Sequence, residues 1–123
     1  MEPKPSPTQP PSLTIDDFIK IELRVGQVTA ALPVPDSKKL IQLTVDFGSE
    51  IGMRTVLTGL LSYFPDMSHF IGNKFIFLTN LAPRTMAGIQ SQGMFLAAES
   101  TGEMSAPTLL ALPPDTPVGA RVH

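Results

Sequence analysis

The sequence predicts an all-β domain, built as a small barrel of five strands. Three observations lead there. Apolar residues recur with period two over short stretches, the pattern of half-buried strands. Clusters of Gly, Pro, Ser and Asp punctuate those stretches. The one stretch without alternation, "LLSYFPDMSHFIG", falls between the third and fourth strands rather than at either end.

Each element has its own signal. "MEPKPSPTQPPS", residues 1–12, holds five of the 13 prolines and almost nothing apolar. Such a segment is expected to be an extended tail or linker, with the folded domain over 13–123. "TIDDF" reads as a short turn or helical cap, with Asp16 or Asp17 near its start. "IELRVGQVTAA" is a long strand, and Gly26 inside it suggests a bulge or bend. "VPDSKK" is a loop. "LIQLTVDFG" places Ile41, Leu43, Val45 and Phe47 on one face, and Gln42, Thr44 and Asp46 on the other. "GSEIG" turns the chain into a third strand, "MRTVLTG". In the interruption, Pro65 suits the first turn of a short helix, and Met67, Phe70 and Ile71 have helical spacing. "NKFIFLTNL" is the fourth strand, "APRTMAGIQSQG" a loop, and "MFLAAES" the fifth strand. After "TGEMSAP", the pieces "TLLAL" and "VGARV" form a small C-terminal β appendage. Five strands with a short helix between strands 3 and 4 is the order of the oligonucleotide/oligosaccharide-binding (OB) barrel. Another small barrel gives a similar string.

Composition narrows the chemistry. The 123 residues suffice for one core, and 42% are apolar. There is no Cys, which excludes disulfides, thiolate catalysis and cysteine-held zinc. No apolar run reaches the ~18 residues of a membrane span, and the N-terminus lacks the apolar core of a signal peptide. A cytoplasmic protein without membrane contact is expected. The net charge is −2, so the whole-chain basic excess of many nucleic-acid binders is missing. A local basic face remains open, because residues 13–92 carry seven basic and seven acidic side chains.

Catalytic and metal chemistry find little support. Ser91 lies between glycines, but the spacing is Gly-x-x-Ser-x-Gly, and a strand follows. A nucleophile elbow needs Gly-x-Ser-x-Gly at a strand-to-helix turn. The only histidines, His69 and His123, supply no ligand cluster, and no phosphate loop of the Gly-x-x-x-x-Gly-Lys type occurs. No enzyme activity, metal or cofactor is expected. Nucleic acid is the leading ligand. Lys38 and Lys39 sit in the loop after the first strand, and Asn80, Arg84, Met86, Ser91 and Met94 cluster between the fourth and fifth. Those are the loops that flank the binding face of this barrel class.

The segments "DFIKIELRVGQV", "PDSKKLIQLTVDFG", "RTVLTG", "IGNKFIFLTNLAPRTMAGIQSQGMFLAAES" and "PVGARV" resemble the tRNA-binding domain family in order and spacing. That family includes the C-terminal domain of methionyl-tRNA synthetases, small free-standing tRNA-binding proteins and the endothelial-monocyte-activating-polypeptide-like domains. The resemblance covers about residues 14–122 and is most specific from Asn80 to Ala98. It implies an OB barrel that binds tRNA with little sequence preference and does no chemistry. Carried over by position, the contacts are Lys39, Arg54, Asn80, Arg84, Met86, Ser91 and Met94, with Lys38 beside them. A homodimer is implied, with "TLLAL" and "VGARV" as interface material, and an aminoacyl-tRNA synthetase is a possible partner. A sister branch, the CsaA-like export chaperones, shares the barrel and the dimer but holds unfolded peptides; "SQGM" favours the tRNA branch. A plain dimerisation module is a third reading.

Overall fold

The computed structural model describes residues 11–102 and 105–123. Most of the proline-rich segment, and Glu103 and Met104 of the "TGEMSAP" turn, lie outside the described residues.

The chain enters through α1, Ile15–Ile19. Its cap is Thr14 rather than Asp16 or Asp17. The Thr14 Oγ1 accepts from the Asp17 N–H at 3.1 Å, and the Asp17 carboxylate accepts from the Thr14 N–H at 3.2 Å. This reciprocal box satisfies two amide donors that a helix start leaves unpaired. The aspartates thus occupy the first turn, where negative charge favours the helix dipole.

Strands β1 (Leu23–Pro33), β2 (Ile41–Asp46), β3 (Met53–Thr58) and β4 (Lys74–Leu78) follow. The seam is built from the hairpin β5 (Arg84–Met86) and β6 (Ile89–Ser91), then β7 (Met94–Phe95). Pairing is antiparallel in the order β3-β2-β1-β4-β7. The barrel nearly closes between β3 and the chain leading into β7, where the Gln92 N–H donates to the Thr55 carbonyl at 2.8 Å. Two further ribbons complete the chain. β8 (Ala97–Ala98) pairs with β9 (Thr108–Leu109), and β10 (Arg121–Val122) pairs with the start of β1. The expected fifth strand is therefore broken at Leu96, and only the ends of the expected C-terminal pieces are extended.

The two-residue alternation of β2 is realised: Ile41, Leu43, Val45 and Phe47 are buried. They join Val28, Val56, Phe70, Phe75, Phe77 and Phe95 in one core. Five of the ten core residues are phenylalanines, packed mostly edge to face, with Phe75 and Phe95 centroids 4.9 Å apart. Edge-to-face pairs add about 0.5–1.5 kcal/mol beyond the area they bury. The interruption between β3 and β4 forms a single 3-10 turn, Met67–His69, capped by Asp66, so Pro65 precedes the turn instead of opening it. Its purpose is Phe70, which is fully buried against Phe75 and Phe95. Ile71, expected on the same face, is exposed.

Gly26 has a different reason from the expected bend. A Cβ there would lie 2.5 Å from Val45 Cγ1, 2.8 Å from Phe47 and 2.9 Å from Phe77. The glycine makes room for core side chains that pack on bare backbone. The register shift of β1 comes later, between Val28 and Ala30.

Candidate nucleic-acid interface

The segment from Ala82 to Gly93 is expected as a loop and folds largely as a hairpin. Arg84 pairs with Ser91, Thr85 with Gln90, and Met86 with Ile89. The two linking residues both have positive φ, Ala87 at 52° and Gly88 at 77°. That is the backbone of a tight primed turn, whose twist matches the strands it joins. Asn-Gly or Gly-Gly would have announced it; Ala-Gly hid it.

The hairpin leans on β3 through Ser91. This serine is 4% exposed. Its Oγ accepts from the Leu57 N–H at 3.0 Å and donates to the Gly93 carbonyl at 3.2 Å. The hydroxyl proton is thus spent inside the barrel wall. Gly93, two residues on, has φ 144°, and a Cβ there would meet the Leu78 carbonyl at 2.9 Å. Glycine lets the seam press against β4.

Between hairpin, seam and β3 lies a small cleft of about 70 Å³. Four of the sequence-named residues line it: Arg84, Met86, Ser91 and Met94. Leu57, Leu81, Ala82 and Gly93 complete it. Those four carried no functional signal in the sequence, since apolar and glycine positions read as core or turn. Met94 is 42% exposed, which removes it from the core role that a methionine at a strand start usually has. Arg84 is exposed at the rim.

The other four sequence-named residues do not line the cleft. Lys38 and Lys39 are exposed in the loop between β1 and β2. That loop is braced by the Ser37 Oγ, which accepts from the Lys39 and Leu40 N–H groups, and by the Leu61 N–H on the Lys39 carbonyl. Arg54 is half-buried and donates to the Thr79 carbonyl at 2.7 Å. Asn80 is a clamp: its Oδ1 accepts from the Glu22 N–H at 2.8 Å, and its Nδ2 donates to the Lys20 carbonyl.

Charge is unevenly used. Among the described residues the ion pairs are Lys20–Asp17, Arg24–Glu22 and Arg24–Glu50. None involves Lys38, Lys39, Arg54 or Arg84. Arg24 is held between the strand and the C-terminal segment, with a further bond to the Gly119 carbonyl at 3.0 Å. The Glu22 carboxyl is held below its ordinary range, chiefly by the Thr79 hydroxyl that donates to it at 2.6 Å and then by the Arg24 guanidinium. Among the described residues no group of three or more His, Asp or Glu could hold a metal ion, and no helix is long and apolar enough to cross a membrane.

A second surface stands apart from the cleft. Ile15, Phe18 and Ile19 of α1, with Ile21 and Val122, border an open, mainly apolar hollow of about 470 Å³. Ile15 and Ile19 are 71% and 61% exposed.

Residues 23–121 match the family model "Putative tRNA binding domain". The chain is 42% identical over 111 residues to the methionine–tRNA ligase of Methanococcus maripaludis strain C5, covering 90% of this chain and 16% of that enzyme. It therefore spans about one sixth of the length of such relatives. The crystal structure of a MetRS related protein from Pyrococcus horikoshii superposes with a TM-score of 0.84 at 40% identity, covering 92% of this chain and 99% of that one. The chaperone CsaA of Bacillus anthracis superposes with a TM-score of 0.76 at 26% identity, over 92% and 100% of the two chains.

Proposed function

Because the chain belongs to the tRNA-binding domain family, we propose that it binds tRNA through the face formed by the β1–β2 loop and the β5–β6 hairpin. The role is non-catalytic. It either delivers tRNA as a separate protein or serves a methionyl-tRNA synthetase, in the cytoplasm. One observation carries the reading best: Lys38, Lys39 and Arg84 are exposed on the two loops that flank the binding side of this barrel class, and none has an ion-pair partner among the described residues. Phosphate is the ligand such side chains suit, Arg by a planar fork and Lys as a point charge. Met86 and Met94 add apolar contact. Arg54, Asn80 and Ser91 act by positioning, since their polar groups are committed to backbone atoms.

The test is tRNA binding by fluorescence anisotropy across a range of salt. Binding that weakens as salt rises supports the reading, because neutralised phosphates release counterions. Affinity independent of salt would rule out phosphate contact.

A homodimer through α1 and β10 belongs to the same proposal. Exposed Ile15, Phe18 and Ile19 beside Val122 form an apolar surface that a monomer leaves in water. Two RNA sites on one dimer raise avidity without a new contact. Sedimentation showing a monomer at micromolar concentration removes that part alone.

A further inference from the structure

The helix α1 cannot account for its own stability. It has five residues, and none is buried. Helices shorter than about 12 residues are marginal in water unless packing supports them. The Thr14 box satisfies the first turn, but Ile15 and Ile19 stay exposed. Its exit is tied to the barrel by Thr79 and Asn80. Asn80 accepts from the Glu22 N–H at 2.8 Å and donates to the Lys20 carbonyl. Thr79 donates its N–H to the Glu22 carbonyl at 2.9 Å and its hydroxyl to the Glu22 carboxylate at 2.6 Å.

The same two residues root the hairpin. They directly follow β4, and only Leu81, Ala82 and Pro83 separate Asn80 from Arg84, the first residue of β5. Pro83 fixes its own φ and restricts Ala82 before it, so this linker is stiff. Arg54 of β3 holds the Thr79 carbonyl at 2.7 Å. When α1 frays, the Lys20 carbonyl leaves the Asn80 Nδ2, and the stiff linker carries that release to Arg84. We infer that α1 is a two-state switch, helical or frayed, whose state Asn80 passes to the root of the β5–β6 hairpin, so that the helical state favours RNA binding. The inference rests on the proposed tRNA binding and adds a regulator to it. A second copy covering Ile15, Phe18 and Ile19 biases α1 toward helix. RNA on the hairpin then strengthens association by the same factor, because linkage is reciprocal.

The experiment perturbs α1 at its far end, in the full chain. Thr14→Ala removes the cap, a change of about fivefold in the helix equilibrium. For a helix near balance the helical fraction falls from about one half to about one sixth, so tRNA affinity should fall about threefold. The frayed fraction rises meanwhile, and trypsin cleavage after the exposed Lys20 should nearly double. Raising the protein concentration through the association range should suppress that cleavage. Asn80→Asp keeps the acceptor for Glu22 and removes only the donor to Lys20. In that background Thr14→Ala should still speed cleavage but leave tRNA affinity within ~1.3-fold, the non-additivity of coupled sites. Asn80→Ser serves the same purpose should the aspartate unfold the chain. An equal threefold loss in both backgrounds would show that the cap acts through avidity of the dimer, and Asn80 would not be the transmitter. If Thr14→Ala binds tRNA as the parent does, the switch is wrong and the tRNA reading survives. Cleavage indifferent to both Thr14→Ala and protein concentration overturns the switch as well. If the parent binds no tRNA, both fail.

Discussion

Replacing Ser91 by Ala separates a wall residue from a ligand contact. The serine is 4% exposed, and its Oγ bridges the Leu57 N–H at 3.0 Å and the Gly93 carbonyl at 3.2 Å. Leu57 is itself 5% exposed. Alanine keeps the volume nearly constant but strands one donor and one acceptor in a largely dry seam. A buried polar group left without a partner costs about 1–3 kcal/mol. Water entering through the adjoining cleft recovers part of the second loss, so about 2 kcal/mol is the expected total. For a domain of this size each kcal/mol moves the melting temperature by about 4–6 °C. The variant should therefore melt about 8–12 °C lower, as followed by circular dichroism. Well below that transition its tRNA affinity should stay within about twofold of the parent, less than 0.5 kcal/mol. A melting temperature within about 2 °C of the parent, together with a tenfold loss of affinity, would refute the reasoning and return Ser91 to the ligand.

Arg84→Ala should behave in the opposite way: tRNA binding weaker by about tenfold, equivalent to about 1.4 kcal/mol, with the melting temperature unchanged. Anisotropy and thermal denaturation on the same preparation check both halves. Ala87→Asn should stabilise the hairpin turn by about 1 kcal/mol, because an L residue with a plain methyl group is disfavoured at φ 52° and Asn tolerates it. Thermal unfolding reads the gain, and a lower melting temperature would contradict it. Glu22 governs part of the acid limb. Its folded pKa lies below the ordinary 4.5, so its stabilisation is complete above about pH 4.5 and is lost as pH falls through the lower folded value. Glu22→Gln should flatten that limb in urea titrations taken downward from about pH 4.5 while leaving other carboxyls to titrate. An unchanged limb would show that Glu22 takes no part.

What the sequence revealed was what depends on near neighbours. The alternation in β2 announced its buried face, and the break after β3 announced an interruption. Gly26 was visible as special, but the cause, three core side chains crowding its Cα from β2 and β4, comes from residues about 20 to 50 positions away. The hairpin was missed because a primed turn ordinarily declares itself with Asn-Gly or Gly-Gly, and here strand pairing holds an alanine at positive φ. The site was half legible for the same reason. Arg84, Met86, Ser91 and Met94 lie close in sequence and meet around one cleft. Asn80 and Arg54 were named beside them, but their bonds run to Glu22, Lys20 and Thr79, at separations of 58, 60 and 25 residues. Nothing local distinguishes an asparagine that clamps a helix exit from one that meets RNA. Leu57 and Leu81 were invisible, since a leucine that walls a cleft has the same local pattern as one in the core.

The acidic balance looks like an objection to RNA binding until five of the eleven carboxylates are followed to their partners. Asp17 closes the cap of α1 and meets Lys20. Glu22 and Glu50 both hold Arg24, at the end of the barrel where β10 joins β1. Asp46 accepts from the Gly48 N–H at 2.8 Å and Asp66 from the Ser68 N–H at 2.9 Å, each in its own turn. These groups spend their charge on folding. Lys38, Lys39 and Arg84 do not, and the carboxylate nearest the two lysines in sequence is Asp36, in the lysine loop at φ 66°. Net charge therefore misstates the face that RNA would meet. Three cations set a ceiling on the phosphates neutralised, and at ~0.7–0.9 per phosphate the log–log salt slope should be about two to three. A slope that shallow leaves electrostatics short of tight binding by itself, which is why the apolar cleft and a second site on a dimer matter to the same proposal. On that proposal affinity depends on a few phosphates, apolar contact and avidity together, and removing any one of them should weaken binding without abolishing it.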